Sequence, residues 1–367
     1  MLPVFDPQDS SCKTPFGAVP CGTTVTFTLR DETYYACELL VRREFSGMDE
    51  AAPLPPAEGG FSGVYTAPAE PELCWYGFRF TRDDGSTVCL GKNGWCGQDA
   101  LTRWQLTVYE DTPTPAWFGE GVTYQIFPDR FRRISVPETE GMVGHRWVHP
   151  CWDDQPVFLP EENGQITNRD FFGGSLAGIT EKLDYLQSLS VSTIYLNPIF
   201  EAGSNHRYNT ADYLAIDPML GTEEDFRTLC REAHDRGIRI ILDGVFNHTG
   251  SNSRYFNADG FYPEPGAAQS KDSPYFPWYS FHPWPTEYDA WWGIHTLPAV
   301  NEDAPDYRRF IISDEDSVVR RWLRCGADGW RLDVADELPD DFIAAIRTAI
   351  TQEKPDGYLL GMGGRQQ

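Results

Sequence analysis

Two acidic residues occur where the sequence predicts that buried strands end. Asp243 closes an apolar run and is followed five residues later by His248, and Asp333 closes a later run that also contains Arg331. Because side chains alternate along a strand, Arg331 and Asp333 face the same side, where the guanidinium is expected to lower the pKa of the carboxyl. An ionised carboxylate in this position can act as a nucleophile. Ordinary surface positions for both carboxylates are the alternative that this spacing leaves open.

The excess of acidic residues indicates which kinds of molecule the protein can bind. The 367 residues contain 30 Lys and Arg against 55 Asp and Glu, which gives a formal net charge of −25. Nucleic acids and anionic membranes bind basic surfaces, so we expect neither as a partner and favour an uncharged ligand. The sequence has no apolar run of about 18 residues, as a membrane span requires. Its first residues lack the basic and apolar segments of a secretory signal, which predicts a cytoplasmic protein.

The cysteines and histidines do not predict a metal site. Nine cysteines occur without a C-x-x-C pair, and the seven histidines show no tight ligand spacing. We therefore expect reduced, structural thiols and no metal. A disulfide among the six cysteines that precede residue 100 is the less favoured alternative.

The hydrophobic pattern divides the chain at a proline-rich joint near residues 111–115. Residues 1–113 alternate with a period of two, as in 24–29 and 104–108, which predicts a small all-β sandwich. From about residue 120 the pattern becomes strand followed by helix, and a helix should begin after Thr222 and end at Gly237. Alternating strands and helices indicate a parallel sheet.

The second domain, residues 114–367, contains five predicted strands and four predicted helices. They suit either an open doubly wound sheet or the first half of a (β/α)8 barrel, and spacing alone does not choose between them. Long insertions interrupt the units at about 132–168 and 249–303, and the second holds thirteen aromatic residues between Tyr255 and Trp292. Aromatic loops above the carboxyl ends of strands form ligand sites in such folds, although we expect about half of these rings to pack against the core.

Seven strings in residues 118–361 resemble the α-amylase family of glycoside hydrolases (family 13), within its neopullulanase and cyclomaltodextrinase branch. In chain order they are VTYQIFPDRF (122–131), DFFGGSLAGI (170–179), YLNPIF (195–200), NHRYNTADY (205–213), DGVFNH (243–248), LPAVN (297–301) and GWRLDVADE (329–337). Their order and spacing are specific to this family, which a single string would not be.

The resemblance implies a (β/α)8 TIM barrel, incomplete in this chain, and a retaining mechanism on α-glucosidic bonds. Asp333 matches the family's nucleophile and Arg331 the arginine that holds it. Asp243 and His248 match the pair that lines the subsite of the sugar under attack, and Tyr124 matches a tyrosine that stacks there. Retaining hydrolysis also needs an acid ~5–5.5 Å from the nucleophile. The resemblance further assigns substrate binding to three residues in the same strings: Asn247, His206 and Tyr208.

The general acid of the family is absent from this sequence. A glutamate follows the glycine that ends the fifth strand in the family, whereas Met362 follows Gly361 here. We interpret this as a reading frame truncated before the general-acid motif, and expect an α-glucan hydrolase that is inactive or impaired as this chain. A fragment that binds α-glucans without catalysis is the alternative, and a subunit completed by a second chain is a third interpretation.

Other departures from the family concern metal, specificity and assembly. Ser175 stands where the branch has an aspartate after Phe-Gly-Gly, and the stretch after Phe131 lacks the Asn/Asp-rich run that accompanies a calcium site in relatives. We therefore expect no cofactor, with calcium as the alternative. Asp336, Leu297 and Ala299 also differ from the family, which leaves the choice between α-1,4 and α-1,6 bonds open. The resemblance gives the first domain a starch-binding-like or dimer-forming role, so a homodimer is an open alternative.

Overall fold

The computed structural model of the protein describes residues 4–111, 114–160, 164 and 166–363. The chain divides into two compact units, Met1–Pro113 and Thr114–Gln367. Residues 112 and 113 of the expected proline-rich joint lie outside the described residues, as do residues 364–367.

The first unit consists of two β-sheets around one apolar core. One sheet has the order β1-β3-β7-β6. The other contains β10-β9-β8-β11-β2, with β4 paired to β8 and β5 paired to β4. Phe27 of β3 and Phe78 of β8 meet in the core with ring centroids 6.0 Å apart. Alternation produces this packing, because the buried residues of β3 are every second one. The strands are β1 Lys13–Thr14, β2 Val19–Pro20, β3 Thr24–Leu29, β4 Ala36–Arg43, β5 Asp49–Leu54, β6 Pro56–Ala57, β7 Gly60–Thr66, β8 Glu72–Thr81, β9 Thr87–Gly91, β10 Gly94–Cys96 and β11 Trp104–Tyr109.

The second unit is built on a parallel sheet of order β12-β15-β18-β19-β20. The predicted parallel sheet is confirmed, since each neighbouring pair in this order is parallel. The strands of the unit are β12 Val122–Ile126, β13 Trp147–Val148, β14 Asp170–Phe171, β15 Val191–Leu196, β16 Phe200–Ala202, β17 Thr210–Ile216, β18 Arg239–Gly244, β19 Gly329–Leu332 and β20 Tyr358–Gly361. Its α-helices are α1 Leu176–Glu181, α2 Leu183–Ser188, α3 Glu223–Asp235, α4 Pro305–Arg308, α5 Val318–Arg324 and α6 Asp340–Glu353.

Local sequence signals explain several helix boundaries. Thr222 and Asp225 form the capping box that starts α3, each side chain bonding the other's backbone N–H. Residues 176–188 form two short helices, α1 and α2, because Lys182 between them leaves helical geometry at φ −98° and ψ 6°. Among the described residues, no helix is both long and apolar enough to cross a bilayer. All nine cysteines are free.

The two faces of the parallel sheet differ in chemistry. Ile194, Leu242 and Trp330 are fully buried in the apolar cluster that the helices also join. The alternate positions place Tyr195, Ile241 and Arg331 on the opposite face, outside that cluster. The polar groups that could do chemistry therefore share one face, and the apolar packing on the other face fixes their positions.

A buried carboxylate anchors the amino-terminal end of β19. Asp328 accepts hydrogen bonds from His234 at 2.7 Å, Arg239 at 3.0 Å, Lys354 at 2.5 Å and the backbone N–H of Ile240 at 2.8 Å. Burial alone would raise the pKa of Asp328, but His234 and Lys354 lower it to about 2. His234 thus helps to join α3 to the sheet.

Candidate active site

The centre of the site is one guanidinium shared by two carboxylates. Asp243 and Arg331 are register partners on β18 and β19. Arg331 Nη1 donates to Asp243 Oδ1 at 2.9 Å and Oδ2 at 3.0 Å, and to Asp333 Oδ1 at 2.7 Å. The three residues are 2%, 4% and 7% exposed. The structure therefore brings together the two carboxylates and the arginine that the sequence singled out.

The backbone turns sharply after the candidate nucleophile. Val334 has φ 42° and ψ 48°, in the left-handed region that β-branched residues rarely adopt. The backbone N–H of Asp333 bonds the carbonyl of Gly244, which ties the strand end to β18. The strained turn at Val334 directs the following backbone away from Arg331, while the Asp333 side chain stays beside Arg331.

Burial sets the protonation of both carboxylates. Burial raises the pKa of Asp243 to about 7, against the opposing effects of Arg331 and a hydrogen bond from Tyr195. Burial also raises the pKa of Asp333, although Arg331 favours its ionised form. Arg331 does act to lower the pKa of Asp333, as expected, but burial outweighs this effect and the pKa lies above its ordinary value. Sequence spacing reveals that Arg331 lies beside Asp333, but it does not reveal that the Asp333 carboxyl is buried away from water.

Two tyrosines complete the surroundings of Asp243. The hydroxyls of Tyr195 and Tyr208 both donate to Asp243 Oδ2, the latter at 3.0 Å. Asn197 donates to the Tyr208 hydroxyl at 3.3 Å, and Gln125 donates to Asn197 at 2.8 Å. Tyr208 was expected at the site. The other three were not, because they become neighbours only through the register of β12, β15 and β18.

His248 is a neutral imidazole with one nitrogen already in use. Its Nε2 lies 3.1 Å from the carbonyl oxygen of Tyr208, so that nitrogen carries the proton and donates. Burial lowers the pKa of His248 to about 4. The ring stacks on Trp291 with centroids 5.2 Å apart. Its Nδ1 has no partner among the described residues and is an acceptor.

The other predicted binding residues have different surroundings. His206 accepts the backbone N–H of Tyr208 at 3.1 Å, and burial lowers its pKa to about 4, so it shapes the loop that presents Tyr208. Asn247 is 5% exposed, and neither polar atom of its side chain has a partner among the described residues. Tyr124 is the register partner of Ile194 and packs against the apolar cluster. The structure does not bring Tyr124 to the carboxylates, because it lies on the other face of the sheet.

The aromatic insertion contributes a pair of indoles beside Glu337 and His248. Trp291 and Trp292 stack with centroids 5.0 Å apart, and their Nε1 atoms donate to the two carboxylate oxygens of Glu337 at 2.9 and 3.0 Å. Trp292 is 77% exposed. Other rings of the insertion are buried in the apolar cluster, among them Tyr255 and Trp278. The insertion therefore both packs the core and presents an indole to solvent, as the sequence indicated.

Met362 lies at the end of β20 beside the shared guanidinium. Arg331 Nη2 points at its sulfur, and its backbone carbonyl accepts the N–H of Ala335 at 2.8 Å. A thioether has no proton to donate, so this position supplies no acid. A cavity of about 320 Å³ that is lined by His145, Trp147 and Arg169 contains none of these site residues.

The residues where the resemblance suggested calcium do not fit a cation. Ser175 caps α1 by accepting the N–H of Gly178 at 3.1 Å. Arg133 points its guanidinium at three carbonyls, those of His149 at 2.8 Å, Phe172 at 3.3 Å and Pro150 at 3.2 Å. The carbonyl oxygens that would suit a hard cation already accept from a positive side chain. The described residues contain no cluster of three or more His, Cys, Asp or Glu that could hold a metal.

Comparison with known proteins decides the family. The α-amylase catalytic domain matches residues 125–358, which include Asp243, Arg331 and Asp333. The chain belongs to the α-amylase family. The resemblance drawn from the seven strings is thus confirmed, and so is the (β/α)8-barrel fold class, of which the described residues contain a five-stranded parallel sheet after an all-β unit.

Curated relatives in the α-amylase family are considerably longer than this chain. The amylopullulanase of Thermoanaerobacterium saccharolyticum is 37% identical over 400 residues, which cover 97% of this chain and 31% of that protein. The intracellular maltogenic amylase of Bacillus subtilis (strain 168) is 36% identical over 299 residues, 78% of this chain and 46% of that protein. The chain spans less than half the length of either relative. Truncation of the reading frame stays a prediction.

Solved structures in the α-amylase family share the fold. The type III pullulan hydrolase from Thermococcus kodakarensis is 31% identical with a TM-score of 0.60, covering 97% of this chain and 60% of that one. The cyclic α-maltosyl-(1→6)-maltose hydrolase from Arthrobacter globiformis is 35% identical with a TM-score of 0.55, covering 68% of this chain and 52% of that one.

Proposed function

We propose that this chain is the nucleophile-bearing part of a retaining α-glucan hydrolase. The observation that carries the proposal is the position of Arg331 Nη1 between Asp333 and Asp243, with all three side chains buried. Buried charges of opposite sign that are paired in this way are typical of catalytic centres. Membership of the α-amylase family supports the same reaction class.

In the proposed reaction, Asp333 attacks the anomeric carbon of the sugar. A bond forms between the carboxylate oxygen and C1, while the bond from C1 to the leaving oxygen breaks and that oxygen takes the electron pair. An ordinary glucosidic oxygen needs a proton to leave, and Met362 cannot supply one. We expect this chain to cleave such bonds about 10²–10⁴-fold more slowly than a chain with an acid at that position.

A neutral α-glucan is the proposed substrate. The net charge of −25 disfavours anionic ligands, and the exposed ring of Trp292 suits the apolar face of a glucose unit. Relatives carry the names amylopullulanase, cyclomaltodextrinase and neopullulanase. We propose cyclodextrin, pullulan, starch or maltooligosaccharides with α-1,4 or α-1,6 bonds as the class, with no cofactor. The name of the intracellular maltogenic amylase supports a cytoplasmic location as part of the proposal.

Alpha-maltosyl fluoride tests the covalent step without the missing acid. Fluoride leaves without protonation, so attack by Asp333 should release it and leave a maltosyl ester on the protein. Intact-mass spectrometry should then detect one added maltosyl group, and peptide mapping should place it on Asp333. The Asp333→Asn variant should stay unlabelled, whereas Asp316→Asn, at a side chain 93% exposed, should label normally. An unlabelled parent chain, or label elsewhere, contradicts the proposed function.

A second candidate is α-glucan binding without catalysis. The exposed Trp292 favours it, because this ring stacks on Trp291, which in turn stacks on His248, and because Met362 offers no proton. Calorimetric titration with β-cyclodextrin separates the two candidates. Binding heat that is lost in Trp292→Ala, without any label from maltosyl fluoride, supports binding alone. Absence of heat removes this candidate.

A further inference from the structure

Tyr195 contacts both charged groups that hold the candidate nucleophile. It lies on β15, and its hydroxyl donates to Asp243 Oδ2. The guanidinium carbon of Arg331 lies 5.5 Å from the centroid of its ring. The residue is 9% exposed and has no contact with Asp333 among the hydrogen bonds and ring contacts of the described residues. Its contacts with Asp243 and Arg331 therefore connect it to the proposed nucleophile.

We propose that Tyr195 is a positioning residue whose hydroxyl fixes Asp243 as the second acceptor of Arg331, so that Arg331 stays directed at Asp333. This inference rests on the proposed function, because it assigns a role within that reaction. Tyr195 touches neither the sugar nor the nucleophile in this proposal. It acts by restricting the movement of Asp243 and Arg331, which lie between Tyr195 and Asp333.

The distribution of hydrogen bonds supports this role. Asp243 Oδ2 accepts from Tyr195, Tyr208 and Arg331, whereas in the described part of the chain Oδ1 accepts from Arg331 alone. Arg331 Nη1 has to serve Asp243 and Asp333 at once, so a rotation of Asp243 would draw it away from Asp333. Tyr195 is on a strand of the central sheet, and Tyr208 is on a loop. The strand residue is therefore the more rigid of the two donors to Oδ2.

The same contact affects protonation. Tyr195, Tyr208 and Arg331 face Asp243 from three elements, and Asp333 is the other carboxylate close to it. Burial raises the pKa of Asp243 to about 7, and the Tyr195 hydroxyl opposes that rise. Removing the hydroxyl should therefore raise the pKa of Asp243 further. The pH at which Asp243 becomes an ionised acceptor then moves upward.

The test compares fluoride release from α-maltosyl fluoride by the full chain and its Tyr195→Phe variant across pH. We expect the maximal rate to fall by about 10- to 100-fold, the loss expected for one hydrogen bond to a buried charge. The half-saturation concentration should stay the same, and the acidic limb should move to higher pH. The matched control is Tyr185→Phe on α2, at a tyrosine 52% exposed, which should match the parent. An unchanged rate and limb, or a change in half-saturation alone, would overturn the inference.

Two further measurements separate positioning from a general structural defect. If Tyr195 acts through Asp243, Tyr195→Phe should cost little in an Asp243→Asn background, and additive losses would overturn the inference. If Tyr195→Phe does not fold, 3,5-difluorotyrosine at position 195 keeps the ring and strengthens the donor. The acidic limb should then move to lower pH, and an unmoved limb would overturn the inference. Failure of the parent chain to react would instead contradict the proposed function.

Discussion

Asp243 and Arg331 are register partners on neighbouring parallel strands, and one nitrogen of Arg331 lies within 3.0 Å of both oxygens of Asp243. The same nitrogen lies 2.7 Å from Asp333, two residues further along. The register between β18 and β19 therefore places Asp243 beside Arg331. The alternation of side chains along β19 places Arg331 beside Asp333. The position of Asp333, the proposed nucleophile, depends on both.

We expect Arg331→Lys to slow the reaction of Asp333 with α-maltosyl fluoride by on the order of 10²-fold. A lysine keeps the positive charge, but its single ammonium cannot reproduce the planar contacts that reach Asp243 and Asp333 together. Fluoride release under saturating substrate measures the effect. The control is Arg309→Lys, at an arginine side chain 60% exposed. An Arg331→Lys variant with the parent's rate would mean that the guanidinium geometry is not needed.

We expect Met362→Glu to accelerate hydrolysis. The Met362 side chain lies beside Arg331, so a carboxyl there would be close to Asp333 and could donate a proton to the leaving oxygen. The variant should turn over the maltosyl ester that accumulates in the parent, and its rate on maltotriose should rise by roughly 10²-fold or more. Reducing-sugar release measures the gain.

The isosteric Met362→Gln variant is the control for Met362→Glu. It places an amide of the same shape at the end of β20 but cannot act as an acid. Equal rates for the two variants would show that proton donation from this position does not limit hydrolysis.

The local parts of the site could be predicted from sequence. The shared side of Arg331 and Asp333 follows from alternation within one strand, and the start of α3 follows from the side chains of Thr222 and Asp225. These features depend on neighbours in the chain. The end of another strand at Asp243 was also predicted from the apolar run before it, and the resemblance to the α-amylase family assigned Asp243 to the same site as Asp333.

The parts that depend on register and burial could not be predicted. Tyr195 reaches Asp243 only because β15 pairs with β18. Tyr124 faces away from Asp243 and Asp333, because side chains alternate along β12 and the neighbouring Gln125 is on the polar side of the sheet. The pKa of Asp333 lies above its ordinary value because burial outweighs the nearby guanidinium. Sequence spacing carries neither the register between distant strands nor the exclusion of water.

We expect the thermal unfolding midpoint to be the same with and without EDTA. The Arg133 guanidinium occupies the carbonyls of His149, Phe172 and Pro150, so no cation is needed to satisfy them. Arg133→Ala should lower the free energy of unfolding by about 2–3 kcal/mol, since it leaves these acceptors without a charged donor.

Its neighbour Arg132 provides the matched control for Arg133→Ala. The Arg132 side chain is 42% exposed and pairs with Glu181 at the surface, so Arg132→Ala should cost less than about 1 kcal/mol. A lower midpoint in EDTA that added calcium restores would contradict this account of the loop.

We expect Asp328→Asn to destabilise the protein by on the order of 2–3 kcal/mol at neutral pH. The carboxylate is fully buried, but its partners His234, Arg239 and Lys354 are about a third exposed or less, which limits the contribution of each pair. Urea unfolding of the parent and the variant measures the difference.

The pH dependence of Asp328→Asn follows from the lowered pKa of Asp328. The unfolded chain binds this proton near its ordinary pKa of 3.8, whereas the folded chain binds it only near 2. In this interval the unfolded state holds more protons, so stability falls as the pH falls. The advantage of the parent over Asp328→Asn should therefore be complete above about pH 4 and should disappear as the pH approaches 2. The control Asp316→Asn, at an exposed side chain, should follow the parent throughout. A difference between the parent and Asp328→Asn that stays constant over this interval would exclude the ionised carboxylate as its source.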